Sequence, residues 1–129
     1  MFQKINHIGL AVNDLDAYTE KLDKMFGAKV LKEARYEEAG QISRLVQCGD
    51  FQFELMQPLD AEGTIGKYLQ KNKEGFHHIS LFTDDFDDDC EKLQETGVKL
   101  LGVTELDGLR YSFTYPKTSG GVLYEIVGK

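Results

Sequence analysis

Two histidines and two glutamates stand out by their spacing: His7 and His78 are 71 residues apart, and so are Glu54 and Glu125. Imidazole nitrogens and carboxylate oxygens are good ligands for a divalent ion of intermediate hardness. Four of them brought together would make a two-histidine, two-carboxylate site suited to nickel, cobalt, zinc, manganese or iron. A single strand histidine is more often a hydrogen-bonded structural residue, and a single strand glutamate is usually solvated. Recurrence of all four at one interval is different, because repeated packing alone needs none of them. Burying two unpaired carboxylates would cost on the order of several kcal/mol, so a cation should accompany them.

The interval belongs to an internal repeat. His7-Ile8-Gly9-Leu10 lies over His78-Ile79-Ser80-Leu81, and Glu20-Lys21-Leu22 over Glu91-Lys92-Leu93. Eight of the sixteen pairs from 7–22 against 78–93 are identical. Gly27 meets Gly97 one residue out of register, and the interval of 71 returns where Phe53-Glu54-Leu55 lies over Tyr124-Glu125-Ile126. A gap in a loop accounts for the slip.

Each copy reads as strand, helix, then three strands. Ile8, Leu10 and Val12 alternate over 4–12, the period of a half-buried strand, which sets His7, Gly9 and Ala11 on the other face. Asn13 or Asp14 can cap a helix carrying Leu15, Tyr18, Leu22, Met25 and Phe26 at helical spacing, and Gly27 can end it. Strands are expected at 29–36, 41–48 and 51–57, with Gly49-Asp50 as a hairpin turn. The second copy predicts a strand at 76–83, a helix at 86–96, and strands near 98–104, 109–115 and 121–127. A short amphipathic helix, Thr64 to about Asn72, joins the copies. The expected fold is α+β: one domain over 1–129, with module one at 1–57, a linker helix in 58–74 and module two at 75–129. Its two βαβββ modules would form a curled sheet around a metal-binding cleft.

Composition narrows the partners. The chain has 129 residues, 41% hydrophobic and 29% charged, which can bury a core. Its 22 acidic and 15 basic residues give a net charge of −7. Such a body repels nucleic acid and anionic membranes, so neither is an expected partner. No apolar run is long enough to span a bilayer, and the start MFQKINH does not read as a signal peptide. Cys48 and Cys90 form no CxxC pair, so reduced thiols and a cytoplasmic location are expected. Met25 and Met56 read as core filler, His77 and Asn6 as structural. The run Asp84-Asp85-Phe86-Asp87-Asp88-Asp89 reads as a solvated helix N-terminus.

The stretches INHIGLAVNDLD, FELMQPL, TIGKYLQKN, GFHHISL and YPKTSGGVLYEIV cover essentially the whole chain. In order and spacing they resemble the vicinal oxygen chelate superfamily of glyoxalases, bleomycin-resistance proteins and dioxygenases. Within it, the chain is most similar to methylmalonyl-CoA epimerases. The resemblance implies paired βαβββ modules and one divalent metal ion held by His7, Glu54, His78 and Glu125. It also implies an isomerase acting through the enolate of an acyl-CoA thioester, the ion serving as Lewis acid and Glu125 as a catalytic acid–base group. Arg44 and Lys117 are the expected contacts for a substrate carboxylate, and a homodimer is the expected assembly.

Three features depart from that pattern. The third strand reads Gln41-Ile42-Ser43-Arg44, with no acid where a characterised type of epimerase carries one. The turn from Leu106 to Arg110 is short, and Tyr115-Pro116-Lys117 stands where His-Pro-Lys is common. Glyoxalase I, a lyase using a glutathione hemithioacetal, shares all four ligands and is the alternative reading. A drug-binding protein of the resistance type would typically lack them.

Overall fold

The structure, a computed structural model, describes residues 2–129. Its elements follow the expected order. The first copy holds β1 (Phe2–Ala11), α1 (Leu15–Phe26), β2 (Lys29–Tyr36), β3 (Gln41–Cys48) and β4 (Phe51–Pro58). After α2 (Thr64–Lys71), the second holds β5 (Gly75–Thr83), α3 (Phe86–Glu95), β6 (Leu100–Leu106), β7 (Leu109–Thr114) and β8 (Tyr124–Gly128).

These elements gather into two compact units whose limits differ from those of the repeat. One is Ile8–His77; the other joins the segment ending at His7 to His78–Lys129. The boundary therefore cuts β1 after His7 and β5 after His77.

In the unit 8–77, β3 pairs antiparallel with β2 and β4, while β4 pairs parallel with β1. The alternation of β1 works as expected. Leu10 and Val12 enter a core with Leu15, Leu22, Val46 and Leu55, under α1. Asp14 caps α1 by accepting from Ala17 N, and Gly27 ends it at φ 69. On the other face, Ala11 and Met56 pack against Ile65 of α2. Gly66 of α2 lets the preceding loop fold close against the helix, since a Cβ there would lie 2.1 Å from the Asp60 carbonyl oxygen. Met25 is not core: it and Phe26 are exposed, because they end the last turn of α1 beyond the reach of the sheet.

In the other unit, β5 pairs parallel with β8, and β7 pairs antiparallel with β8 and β6. Phe86 and Cys90 of α3 pack on Ile126, with Phe2 against them. Phe2 is one reason that the start of β1 belongs here. Others are Lys4, whose ammonium lies 5.7 Å from the Phe82 ring centroid, and Gln3, whose side-chain oxygen accepts from Asp84 N at 3.3 Å.

The acidic run is only partly solvated. Asp85 caps α3 by accepting from Asp88 N, and Arg110 forms two bonds to Asp87 at 2.7 and 3.1 Å. Asp89 is 1% exposed, against the expectation from charge, and accepts from the Thr83 hydroxyl at 2.5 Å. The same hydroxyl accepts from Asp85 N at 3.0 Å, so Thr83 ties the end of β5 to the start of α3.

The last strand starts at Tyr124 rather than near 121. Gly120 and Gly121 have φ of 73 and 86, which no extended strand contains, and they follow a 3-10 turn at Pro116–Thr118. No helix among the described residues is long and apolar enough to cross a membrane.

Candidate metal centre

His7, His78, Ser80 and Glu125 belong to one unit, and strand alternation puts them on one face. In β5, His78, Ser80 and Phe82 point the same way, while β8 directs Ile126 into the α3 core and Glu125 to the opposite side. Cross-strand register agrees: Ser80 stands opposite Glu125 on β5 and β8, and Phe113 of β7 stands opposite Glu125 from the other flank.

The side chains converge. The Nε2 atoms of His7 and His78 lie 3.0 Å apart, their rings nearly perpendicular at 84°. Glu125 Oε1 lies 3.5 Å from His7 Nε2 and accepts from Ser80 Oγ at 2.7 Å. The Phe113 ring meets His78 edge-on at 5.7 Å between centroids. All of these polar groups are buried, His78 at 1% exposure and His7 and Glu125 at 7%.

His7 Nδ1 contacts Asn6 Oδ1 at 2.8 Å. An amide oxygen can only accept, so the proton sits on Nδ1 and the Nε2 lone pair is directed at the other ring. This backing of a ligand histidine by a second group is the usual arrangement in metal sites. Asn6 was expected to be structural. Alternation aims neighbouring strand residues to opposite faces, so no sequence period could have revealed its bond to His7.

The donor chemistry fits a divalent ion. Two buried imidazole nitrogens and a buried carboxylate oxygen point at common space, and a cation there would relieve the desolvation of the carboxylate.

Glu54 lies in the unit 8–77, where it stands opposite Gly9 in the parallel pairing of β1 with β4. His77, also in this unit, sits edge-on to Tyr68 at 4.7 Å between centroids. Burial holds its imidazole below the usual value, with the Glu54 carboxylate opposing the shift.

The expected substrate cations fare differently. Arg44 pairs with Leu55, the core residue under α1, whereas Leu45 pairs with Glu54. Arg44 therefore faces away from Glu54. Its guanidinium bonds to Glu33 at 2.6 Å, to Thr19 at 2.9 Å and to Asp16 at 3.0 Å. This placement has Arg44, the residue expected at a substrate carboxylate, tie α1 to β2 and β3. Lys117 is exposed in the 3-10 turn after β7.

A family model for the glyoxalase/bleomycin resistance protein/dioxygenase superfamily matches residues 6–113, and the chain belongs to that superfamily. More particularly, it is homologous to methylmalonyl-CoA epimerases, which catalyse an isomerisation. It is 31% identical over 127 residues to the mitochondrial methylmalonyl-CoA epimerase of Homo sapiens, covering 95% of this chain and 72% of that one. Against the ethylmalonyl-CoA/methylmalonyl-CoA epimerase of Cereibacter sphaeroides it is 29% identical, covering 98% of each.

Solved structures agree in fold. A Streptomyces coelicolor methylmalonyl-CoA epimerase variant in complex with 2-nitronate-propionyl-CoA superposes with a TM-score of 0.91 at 33% identity, covering 100% of this chain and 99% of the other. A methylmalonyl-CoA epimerase in complex with methylmalonyl-CoA and NH4+ gives 0.90 at 33% identity, covering 100% and 96%. The paired-module α+β fold expected from the repeat is the fold of these enzymes.

Proposed function

We propose that this chain is a metal-dependent epimerase that inverts the α-carbon of an acyl-CoA thioester, with methylmalonyl-CoA as the favoured substrate. The observation that carries the reading is the buried convergence of His7, His78 and Glu125, on a chain homologous over nearly its whole length to such epimerases. His7, His78 and Glu125 hold one divalent ion, with Glu54 as fourth ligand on the strength of its repeat equivalence to Glu125, 71 residues away. The ion, when bound, supplies Lewis-acid stabilisation of the enolate oxygen.

The remaining work falls to the protein. Asn6 keeps the Nε2 lone pair of His7 turned inward, and the apolar Phe113 ring flanks His78. Glu125 takes the α-proton, its burial favouring transfer to a carbon acid over exchange with bulk water. A water molecule on the opposite face gives a proton to the planar carbon and inverts the centre, and Glu125 returns its own proton to solvent. Ser43 stands in β3 opposite Met56, on the Glu54 face, where a carboxylate would be needed for a two-carboxylate mechanism. That serine favours glyoxalase-type isomerisation of a glutathione hemithioacetal as the second reading. Lys117, exposed beyond β7, is the cation that we assign to a substrate anion.

The assembly that we favour is a homodimer, supported by the exposed apolar residues Val30 and Leu31 on β2 and Leu101 and Val103 on β6. The two free thiols support a cytoplasmic setting.

The test is metal content of the purified protein by mass spectrometry, followed by deuterium exchange from solvent into methylmalonyl-CoA observed by NMR. The expected result is about one metal per chain and exchange at the α-carbon, abolished by Glu125→Gln with smaller loss of metal. Metal without exchange removes this substrate and directs the assay to hemithioacetals; no metal after reconstitution removes the enzyme reading.

A further inference from the structure

We infer that Ser80 is a positioning residue, whose hydroxyl holds Glu125 in the orientation that the metal centre uses. The inference rests on the reading of Glu125 as ligand and base. Ser80 is wholly buried, and its Oγ donates to Glu125 Oε1 at 2.7 Å. The same oxygen lies 3.5 Å from His7 Nε2, so the serine fixes the oxygen that faces the histidine pair. A glutamate turns freely about its terminal bond and can present either oxygen. An O–H donor directly across the strand pair removes that freedom before any ligand arrives, which is the usual benefit of a second layer around a metal site.

The repeat supplies an internal comparison. Gly9 stands opposite Glu54 in the β1–β4 pairing, just as Ser80 stands opposite Glu125 in the β5–β8 pairing. Gly9 and Ser80 are themselves repeat-equivalent, 71 residues apart. A glycine offers no side-chain donor, so the position opposite Glu54 cannot supply the bond that Ser80 gives Glu125. Glu54 needs only to ligate; Glu125 has to stay aligned with a reacting carbon as well.

Ser80→Ala and Ser80→Thr test this on the full chain, the first removing the hydroxyl and the second keeping it. Both would be loaded with cobalt(II), whose visible absorption reports ligand geometry. The expected Ser80→Ala protein keeps its thermal midpoint within a few degrees but binds cobalt about tenfold more weakly, with shifted bands. Its kcat for α-carbon exchange should fall about tenfold while KM changes less than about twofold, because a misaligned base costs turnover rather than binding. Ser80→Thr should restore both.

Unchanged cobalt affinity, bands and kcat in Ser80→Ala would overturn the role of Ser80 and leave the metal centre standing. A drop in kcat that tracks lost thermal stability and is not rescued by threonine would make Ser80 a packing residue, and the inference fails. Wild-type protein that takes up no cobalt overturns the metal reading itself, and this inference with it.

Discussion

His7 and His78, 71 residues apart in the chain, bring their Nε2 atoms within 3.0 Å of each other in a buried place. Two neutral imidazoles cannot both direct lone pairs across that gap without repulsion; a proton or a cation must lie between them. Asn6 accepts the Nδ1 proton of His7 at 2.8 Å, which leaves the Nε2 lone pair to take the proton between the rings or to ligate a cation.

Asn6→Leu should therefore weaken metal binding without touching a ligand. Loss of the oxygen frees the His7 ring to turn and to change tautomer, and removal of such an outer partner typically costs about 10–100-fold in metal affinity. Competition titration against a chromophoric chelator measures it. An affinity within twofold or so of wild type would mean that the ring is held by packing instead.

Glu54→Ala should lower metal occupancy by at least about tenfold, losing one charged ligand from the set. Metal content after dialysis against a weak chelator reads the effect. Occupancy equal to wild type would take Glu54 off the ligand list, leaving His7, His78 and Glu125.

The two thiols should differ in reactivity. Burial against Phe86 and Ile126, with Asp87 adding a smaller push, raises the Cys90 thiol to about 11. It is protonated at neutral pH, and a protonated thiol is a poor nucleophile. Cys48 is half-buried on β3. A thiol reagent at pH 7 should label Cys48 in the native protein, and Cys90 only after denaturation. Rapid native labelling of both would mean that α3 opens readily.

Thr83→Val should destabilise the fold in a pH-dependent way. The Thr83 hydroxyl holds the Asp89 carboxyl below its ordinary value, burial opposing it. A carboxyl whose value is lowered by folding adds stability above its unfolded value near 4, and that stability fades as pH falls below it. The valine variant should lose about 1–3 kcal/mol at pH 7, and a smaller amount near pH 3. Urea denaturation at the two pH values gives the comparison, and an equal loss at both would assign the effect to packing.

Much of this molecule is legible in one dimension because the repeat and the strand period are local properties. The interval of 71 selected His7, Glu54, His78 and Glu125 before any fold was known. The alternation of Ile8, Leu10 and Val12 chose the face that β1 buries under α1. Caps such as Asp14 and Gly27 are short-range chemistry, so the helix limits followed from residue type. Met25 escaped that logic, since helical spacing says which side a residue takes but not whether the sheet extends far enough to cover it.

Contacts between strands distant in sequence were decided only by the tertiary structure. The pairing of Arg44 with Leu55, which turns it toward α1 and into bonds with Glu33 and Asp16, has no signal in the sequence. Composition marked Asp89 as solvated, yet the turn from β5 into α3 buries it against Thr83. Strand alternation puts Ser80 on the His78 face but names no partner for it, and only the parallel register of β5 with β8 sets its hydroxyl on Glu125. The sequence by itself singled out His7, Glu54, His78 and Glu125 as candidate ligands, since that selection depends on residue type and periodicity. The tertiary structure decided which groups hold them in place, because a hydrogen bond is satisfied by distance in space and has no period along the chain.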